Sequence, residues 1–277
     1  MKKRNAYFTG FEKGLWLVSV TAILASSLVF RSENGLTLAA SLIGATFLIL
    51  NAKGNVWGQV LTVVFSLLYG VISYSTAYYG EMITYLGMTA PIAVASVVSW
   101  ARNPAQKGVQ EVKVNRLPHW EYPFLAVLAL AVTAAFYFIL KACGTQALGL
   151  STLSVFTSFT AAYLTMRRSP FFAIGYAAND AVLIVLWSIA ARQESSYLSV
   201  VICFMVFLVN DLYGYVNWLK MKKKQTAVLV EELAQLENKS WHKREKEEEK
   251  NKKQGGFSRI FSGWVEESRT EIAINFQ

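Results

Sequence analysis

Two Asn-Asp pairs, Asn179-Asp180 and Asn210-Asp211, interrupt long apolar stretches of this sequence. A charge at the centre of a bilayer costs roughly 2.5–3.5 kcal/mol on insertion scales. Groups of this kind avoid lipid and face protein or a watery cavity. Helical spacing gives them neighbours, because residues three, four or seven apart share a face. Asp180 and Trp187 are two turns apart. Asn210, Tyr213, Gly214 and Asn217 fall together, with Asp211 and Trp218 on an adjoining face. Upstream, Gln59, Thr62, Ser66, Tyr69 and Ser73 form a polar stripe in an otherwise apolar run. Together they describe a pocket offering amides, carboxyls and hydroxyls to a polar ligand and aromatic faces to a ring.

A second reading stands beside that one, since interhelical polar contacts in membranes are common. For the Ser and Thr residues, helix packing is the better account. For Asn179, Asp180 and Asn210 a ligand is the better account. Trp57, Trp100 and Trp218 read as interfacial anchors, and Trp187 as either an anchor or a stacking platform. Asp180 would either complement a ligand's positive charge or stand there as the neutral acid.

Other chemistry lacks its signatures. The two histidines, His119 and His242, lie outside the apolar runs, and Cys143 and Cys203 suggest neither a disulfide nor a metal pair. No Gly-x-Ser-x-Gly elbow and no phosphate-cradling Gly-rich loop occurs. No enzyme, metal or cofactor is expected.

The elements that must position these residues follow from composition. Of 277 residues, 54% are hydrophobic and 16% charged, against about 25% charge in soluble domains. From Gly35 to Trp100 the only charged residues are Lys53 and Glu81, whereas Lys220 to Arg269 is dense with charge. A span needs roughly 20 mostly apolar residues. Eight stretches qualify, at about 14–30, 36–51, 56–75, 80–100, 122–141, 147–166, 171–190 and 197–219. Spanning backbone satisfies its own hydrogen bonds, so the class is an all-α polytopic membrane protein. With the N-terminus inside, fifteen Lys and Arg flank cytoplasmic ends and three (Arg31, Lys141, Arg192) the outer ends. This places both termini in the cytoplasm and explains the net charge of +9 without nucleic acid. Pro91 should kink the fourth helix and serve as a hinge.

The body reads as a repeat. Tyr79 and Trp100 recur at a fixed offset as Tyr197 and Trp218, and Trp57 near Phe172. A three-helix unit, a single linking helix and a second three-helix unit give a 3+1+3 parallel arrangement, as in transporters. The organisation is then 1–34, N-terminal segment and first helix; 35–101, first repeat; 102–146, cytoplasmic loop and linker helix; 147–220, second repeat; 221–277, charged cytoplasmic tail. In the tail, Leu229, Leu233 and Leu236 continue the last helix, Gly255-Gly256 should break it, and Phe257 to Phe261 with Trp264 would rest on the membrane surface.

Over residues 36–220, particular motifs carry a resemblance. They are Asn55-Val-Trp-Gly58, Tyr78-Tyr-Gly-Glu81 and Trp100 in the first unit. In the second they are Ala177-Ala-Asn-Asp180, Tyr197 and Asn210-Asp-Leu-Tyr-Gly-Tyr-Val-Asn-Trp218. The Asn-x-x-Tyr-Gly-x-x-x-Trp ending resembles the PnuC family of nicotinamide riboside transporters. The first unit departs from it, ending Ala95-Ser-Val-Val-Ser-Trp100. The resemblance implies a fold related to SWEET sugar transporters, here with an extra N-terminal helix. It implies a bacterial inner-membrane homotrimer that lets riboside equilibrate. A cytoplasmic nucleoside kinase then traps it, with no direct contact. The ligand-facing residues expected are Gln59, Thr62, Tyr69, Asn179, Asp180, Trp187, Asn210, Asp211 and Tyr213, and the resemblance bears mainly on those of the second unit. A different vitamin such as thiamine, or a scaffold acting through its tail, stays open as an alternative.

Overall fold

The computed structural model describes residues 7–30, 35–75, 79–106, 108–145 and 147–274, with backbone alone at Ser75 and Tyr79 and over nearly all of the stretch beyond Asn251. Lys2, Lys3, Arg4, Arg31, Tyr78 and Lys107, and the side chains of Phe257, Phe261 and Trp264, lie outside that description. Among the described residues, eight helices are long and apolar enough to cross a membrane. They are α1 (Gly10–Val29), α2 (Gly35–Ala52), α3 (Val56–Ser75), a fourth span built of α4 (Tyr79–Thr84), a π-helical turn (Tyr85–Thr89) and α5 (Ala90–Ala101), then α6 (Glu121–Ala142), α7 (Leu148–Met166), α8 (Phe172–Ala190) and α9 (Leu198–Ile274). The chain divides into two units, Met1–Gln225 and Thr226–Gln277.

Local chemistry sets several boundaries. α1 starts at Gly10, earlier than the hydropathy suggests, because Thr9 and Glu12 form a capping box. The Thr9 hydroxyl accepts from Glu12 N (3.2 Å), and Glu12 Oε2 accepts from Thr9 N (2.7 Å). Gly255-Gly256 does not break α9: the backbone stays helical through both. An interior Gly costs only about 1 kcal/mol relative to Ala. In the fourth span the irregularity falls one turn before Pro91. Pro91 has no N–H and its ring crowds the carbonyl four residues back, so the helix widens to the π-helical turn at Tyr85–Thr89.

The two repeats turn alike at the end of the molecule that carries the N-terminus. After α2 the chain passes through Gly54 (φ 64°), and after α7 through Arg168 (φ 56°). In both turns the next amide bonds back to a helix carbonyl: Asn55 N to Leu50 O (3.0 Å) and Ser169 N to Leu164 O (2.9 Å). The segment between the repeats ties to both, with Val112 N on Gly54 O (2.9 Å) and Asn115 N on Arg168 O (3.0 Å).

A reciprocal clasp joins the repeats. Trp100 Nε1 donates to Thr165 O (2.8 Å) and the Ser99 hydroxyl to Met166 O (2.7 Å), both at the end of α7. Trp218 Nε1 donates to Asn51 O (2.8 Å) and Asn217 Nδ2 to Ala52 O (2.7 Å), both at the end of α2. The two indoles pack at 5.4 Å, and Phe172 lies 4.9 Å from Trp218. Trp100 and Trp218 are fully buried, which corrects the expectation of interfacial anchors. A helix leaves its last four carbonyls without intrahelical donors, and these side chains supply them together with the turn amides of Gly54 and Arg168. Trp57, by contrast, is exposed.

Trp100→Phe and Trp218→Phe should each cost about 1 kcal/mol, the usual net worth of one hydrogen bond, since Thr165 O and Asn51 O keep the turn amides of Arg168 and Gly54 as donors. Thermal unfolding in detergent reads the effect, and comparable losses from the two variants would establish the reciprocity.

Candidate functional site

A cavity of about 130 Å³ lies inside the bundle. It is lined from α2, α3, the fourth span, α6, α7, α8 and α9, a wider set than the third, seventh and eighth spans that the sequence suggests. At one end Phe172, backed by the two indoles, forms a floor. Glu81, Leu140 and Thr145 line the other, near the junctions opposite the N-terminal end.

On the α2–α3 side, Asn51 Oδ1 accepts from Gln59 Nε2 (2.8 Å), and its amide nitrogen reaches the Thr62 hydroxyl (3.4 Å). This arrangement requires glycine at 58, because a Cβ there would strike Asn51 Oδ1. On the α8 side, Asn179 Oδ1 accepts from Thr157 (2.9 Å) and Ser154 (3.1 Å) of α7, which fixes the amide plane. Asp180 meets Asp211 carboxyl to carboxyl across α8 and α9. Asp180 is 4% exposed, and apart from the contact with Asp211 its Oδ2 has no hydrogen-bond partner among the described residues.

Aromatic rings complete the walls. Tyr69 and Tyr85 pack at 4.5 Å, Phe65 and Tyr69 at 5.5 Å, and Phe47 and Phe65 at 5.3 Å. Trp187 is buried against Tyr197 at 5.2 Å. The π-helical turn brings Tyr85 and Thr89 to the same cavity as Glu81 and Thr84. Among the described lining residues there are three carboxyls, Glu81, Asp180 and Asp211, and no Lys, Arg or His.

Of the residues singled out in the sequence, Gln59, Thr62, Tyr69, Asn179, Asp180, Trp187 and Asp211 line this cavity. Asn210 and Tyr213 are directed elsewhere. Asn210 Nδ2 donates to Ser19 Oγ (2.9 Å) and Val206 O (2.8 Å). The Tyr213 hydroxyl donates to Glu12 Oε1 (2.8 Å), and Lys53 Nζ lies 3.1 Å from the same oxygen. Successive helical residues point about 100° apart, so Asp211 faces the cavity while Asn210 faces α1. Pro91 opens α5 directly after the π-helical turn and does not line the cavity. Sequence reasoning passed over Asn51, Glu81, Tyr85 and Tyr176, which do. For Glu81 a signal existed, since it is one of two charges between Gly35 and Trp100.

A family model described as "Nicotinamide mononucleotide transporter" matches residues 34–220. The nicotinamide riboside transporter PnuC of Neisseria mucosa is 25% identical, over 79% of this chain and 84% of that protein. The protein of the same name from Haemophilus influenzae is 24% identical, over 76% and 90%. A crystal structure of the vitamin B3 transporter PnuC superposes with a TM-score of 0.68 at 22% identity, covering 79% of this chain and 94% of that one. That likeness establishes the shared fold.

Asn210→Ala and Ser19→Ala should each destabilise the protein by about 1 kcal/mol, the usual worth of a hydrogen bond. In a double-mutant cycle the pair should fall short of additivity by about 0.5 kcal/mol or more. Full additivity would mean that the contact contributes nothing.

Proposed function

The chain belongs to the nicotinamide mononucleotide transporter family, and from that premise we propose that it carries nicotinamide riboside across the membrane and not the phosphorylated mononucleotide. The observation that carries the reading is the cavity's lining, with three carboxyls, several amides and hydroxyls, aromatic rings and no basic side chain. Nicotinamide riboside has a cationic pyridinium ring, a carboxamide and ribose hydroxyls. Trp187 or Tyr85 would hold the ring, a cation–π contact worth roughly 0.5–2 kcal/mol. Asn179 and Gln59 would bond hydroxyls or the carboxamide. Leaving such a buried amide unpaired costs roughly 1–3 kcal/mol, which discriminates against analogues lacking those groups. A phosphate dianion would meet carboxyls and no cation. Two curated relatives that bear the riboside in their names support the choice.

Movement is facilitated diffusion without chemical conversion of the substrate. The N-terminal end is cytoplasmic, as the Lys and Arg distribution favours. The Trp100–Trp218–Phe172 floor then closes the cytoplasmic side, and the π-helical turn with Pro91 gives the fourth span a place to bend. The family resemblance adds a bacterial inner membrane, a homotrimer and a cytoplasmic nucleoside kinase that traps the riboside by phosphorylation.

Titration calorimetry of the detergent-purified protein tests this directly, with riboside, mononucleotide and thiamine as titrants. Saturable riboside binding with silence from the mononucleotide is expected. Binding of thiamine alone would transfer the cavity to another cationic vitamin. A folded protein silent to all three would refute a transport site here. Trp187→Ala and Asn179→Ala should weaken riboside binding about tenfold or more, in line with the loss of roughly 1–3 kcal/mol per contact. Asn210→Ala should leave it within about twofold, because Asn210 bonds α1.

A further inference from the structure

We propose that Glu81 is a specificity-determining residue. From the fourth span it draws a cationic ligand into the cavity and passes it to Asp180 and Asp211, and it contributes little to the passage of a neutral ligand of the same shape. The inference rests on the transport reading above.

Three observations lead to it. First, Glu81 is half-buried, lines the cavity and has no ion-pair or hydrogen-bond partner among the described residues. Two carboxylates at the starts of other spans are matched. Glu12 takes Lys53 and Tyr213, and Glu121 takes Arg167 and Tyr163. A carboxyl kept in an apolar bundle without a counter-charge is costly, and a transient cation is the partner it lacks.

Second, the deeper end of the same cavity holds a like group. Asp180 is 4% exposed and meets another carboxyl, Asp211, with no basic partner among the described residues. Two carboxyls brought together leave negative potential that a ligand's positive charge relieves. Third, Tyr85 lies between these levels. It is within electrostatic reach of both Glu81 and Asp180, and its ring packs on Tyr69. A cationic ring leaving Glu81 therefore meets an aromatic face before it meets Asp180. Other titratable groups facing this path are Tyr176 and Cys203, and neither carries positive charge.

Glu81→Gln keeps the size and hydrogen-bonding capacity of the side chain and removes the charge. Its test is uptake by the full-length protein in proteoliposomes of two radiolabelled ligands, nicotinamide riboside, which is cationic, and its dihydro form, which is neutral. The expected result is a fall of tenfold or more in kcat/KM for the cationic riboside, carried mainly by KM, with less than a twofold change for the neutral one. Equal losses for both ligands, or no loss for either, would overturn the assignment. If Glu81→Gln does not fold, Glu81→Asp supplies the same comparison. It retains the charge but withdraws it by one methylene, so a raised KM confined to the cation supports the assignment and any other pattern rejects it. A parent protein that moves neither ligand would overturn the transport reading itself, an outcome distinct from a parent that is active and insensitive to Glu81.

Discussion

The side-chain hydrogen bonds by which each repeat reaches the helix C-terminus of the other are the constraint on which the rest of the structure depends. Helix C-termini inside a membrane protein present carbonyls that neither lipid nor the helix itself can satisfy. Here the carbonyls of Asn51 and Ala52 in α2 accept from Trp218 and Asn217, those of Thr165 and Met166 in α7 accept from Trp100 and Ser99, and the turn amides of Gly54 and Arg168 add a second donor to Asn51 O and Thr165 O. Each repeat thus completes the other's first helix. The indoles are large enough to meet at the middle, and Phe172 packs onto Trp218. One end of the cavity is therefore closed by groups whose polar atoms hold the fold together. Any path through that end must rearrange them.

The cavity follows from the same geometry. With the repeats tied at one end, their polar faces converge above the aromatic floor. Small residues permit the approach: Gly58 lets Asn51 lie against α3, and Gly175 of α8 lies close to Ala161 of α7. The polar groups are ordered mainly by neighbouring side chains. Asn51 holds Gln59, while Ser154 and Thr157 hold Asn179. Such support keeps amides oriented before a ligand arrives, which lowers the ordering cost of binding. The carboxyls are the exception, since among the described residues Glu81 has no ion-pair partner and Asp180 meets only the carboxyl of Asp211.

α1 lies outside the repeat and accounts for polar residues that the cavity does not use. Its buried Glu12 gathers Lys53 from the α2–α3 turn and Tyr213 from α9, and its Ser19 meets Asn210. Asn55 reaches the Tyr7 hydroxyl (2.7 Å) just ahead of α1. One face of α9 thus serves the additional helix while the adjoining face, through Asp211, serves the cavity.

Much of this was legible in the chain. Eight apolar runs, the alternation of Lys and Arg between loops, and the offset that pairs Trp100 with Trp218 follow from hydropathy and spacing, because a bilayer imposes its thickness and its polarity on sequence directly. The grouping of Gln59, Thr62 and Tyr69 on one helix face, and of Asp180 with Trp187 on another, followed from helical period. What spacing leaves open is which partner a face meets. Of the neighbours Asn210 and Asp211, the sequence reading favours Asn210 as the ligand group, and the packing of α1 reverses that order. Ser99 shows nothing by itself, yet in the fold it stands in the same relation to Met166 O as Asn217 does to Ala52 O. Tyr85 reaches the cavity through a π-helical turn, a local change of period that a regular helical reading misses. Contacts between residues more than a hundred positions apart are decided by three-dimensional packing, and the sequence fixes that packing only through the whole set of interactions at once.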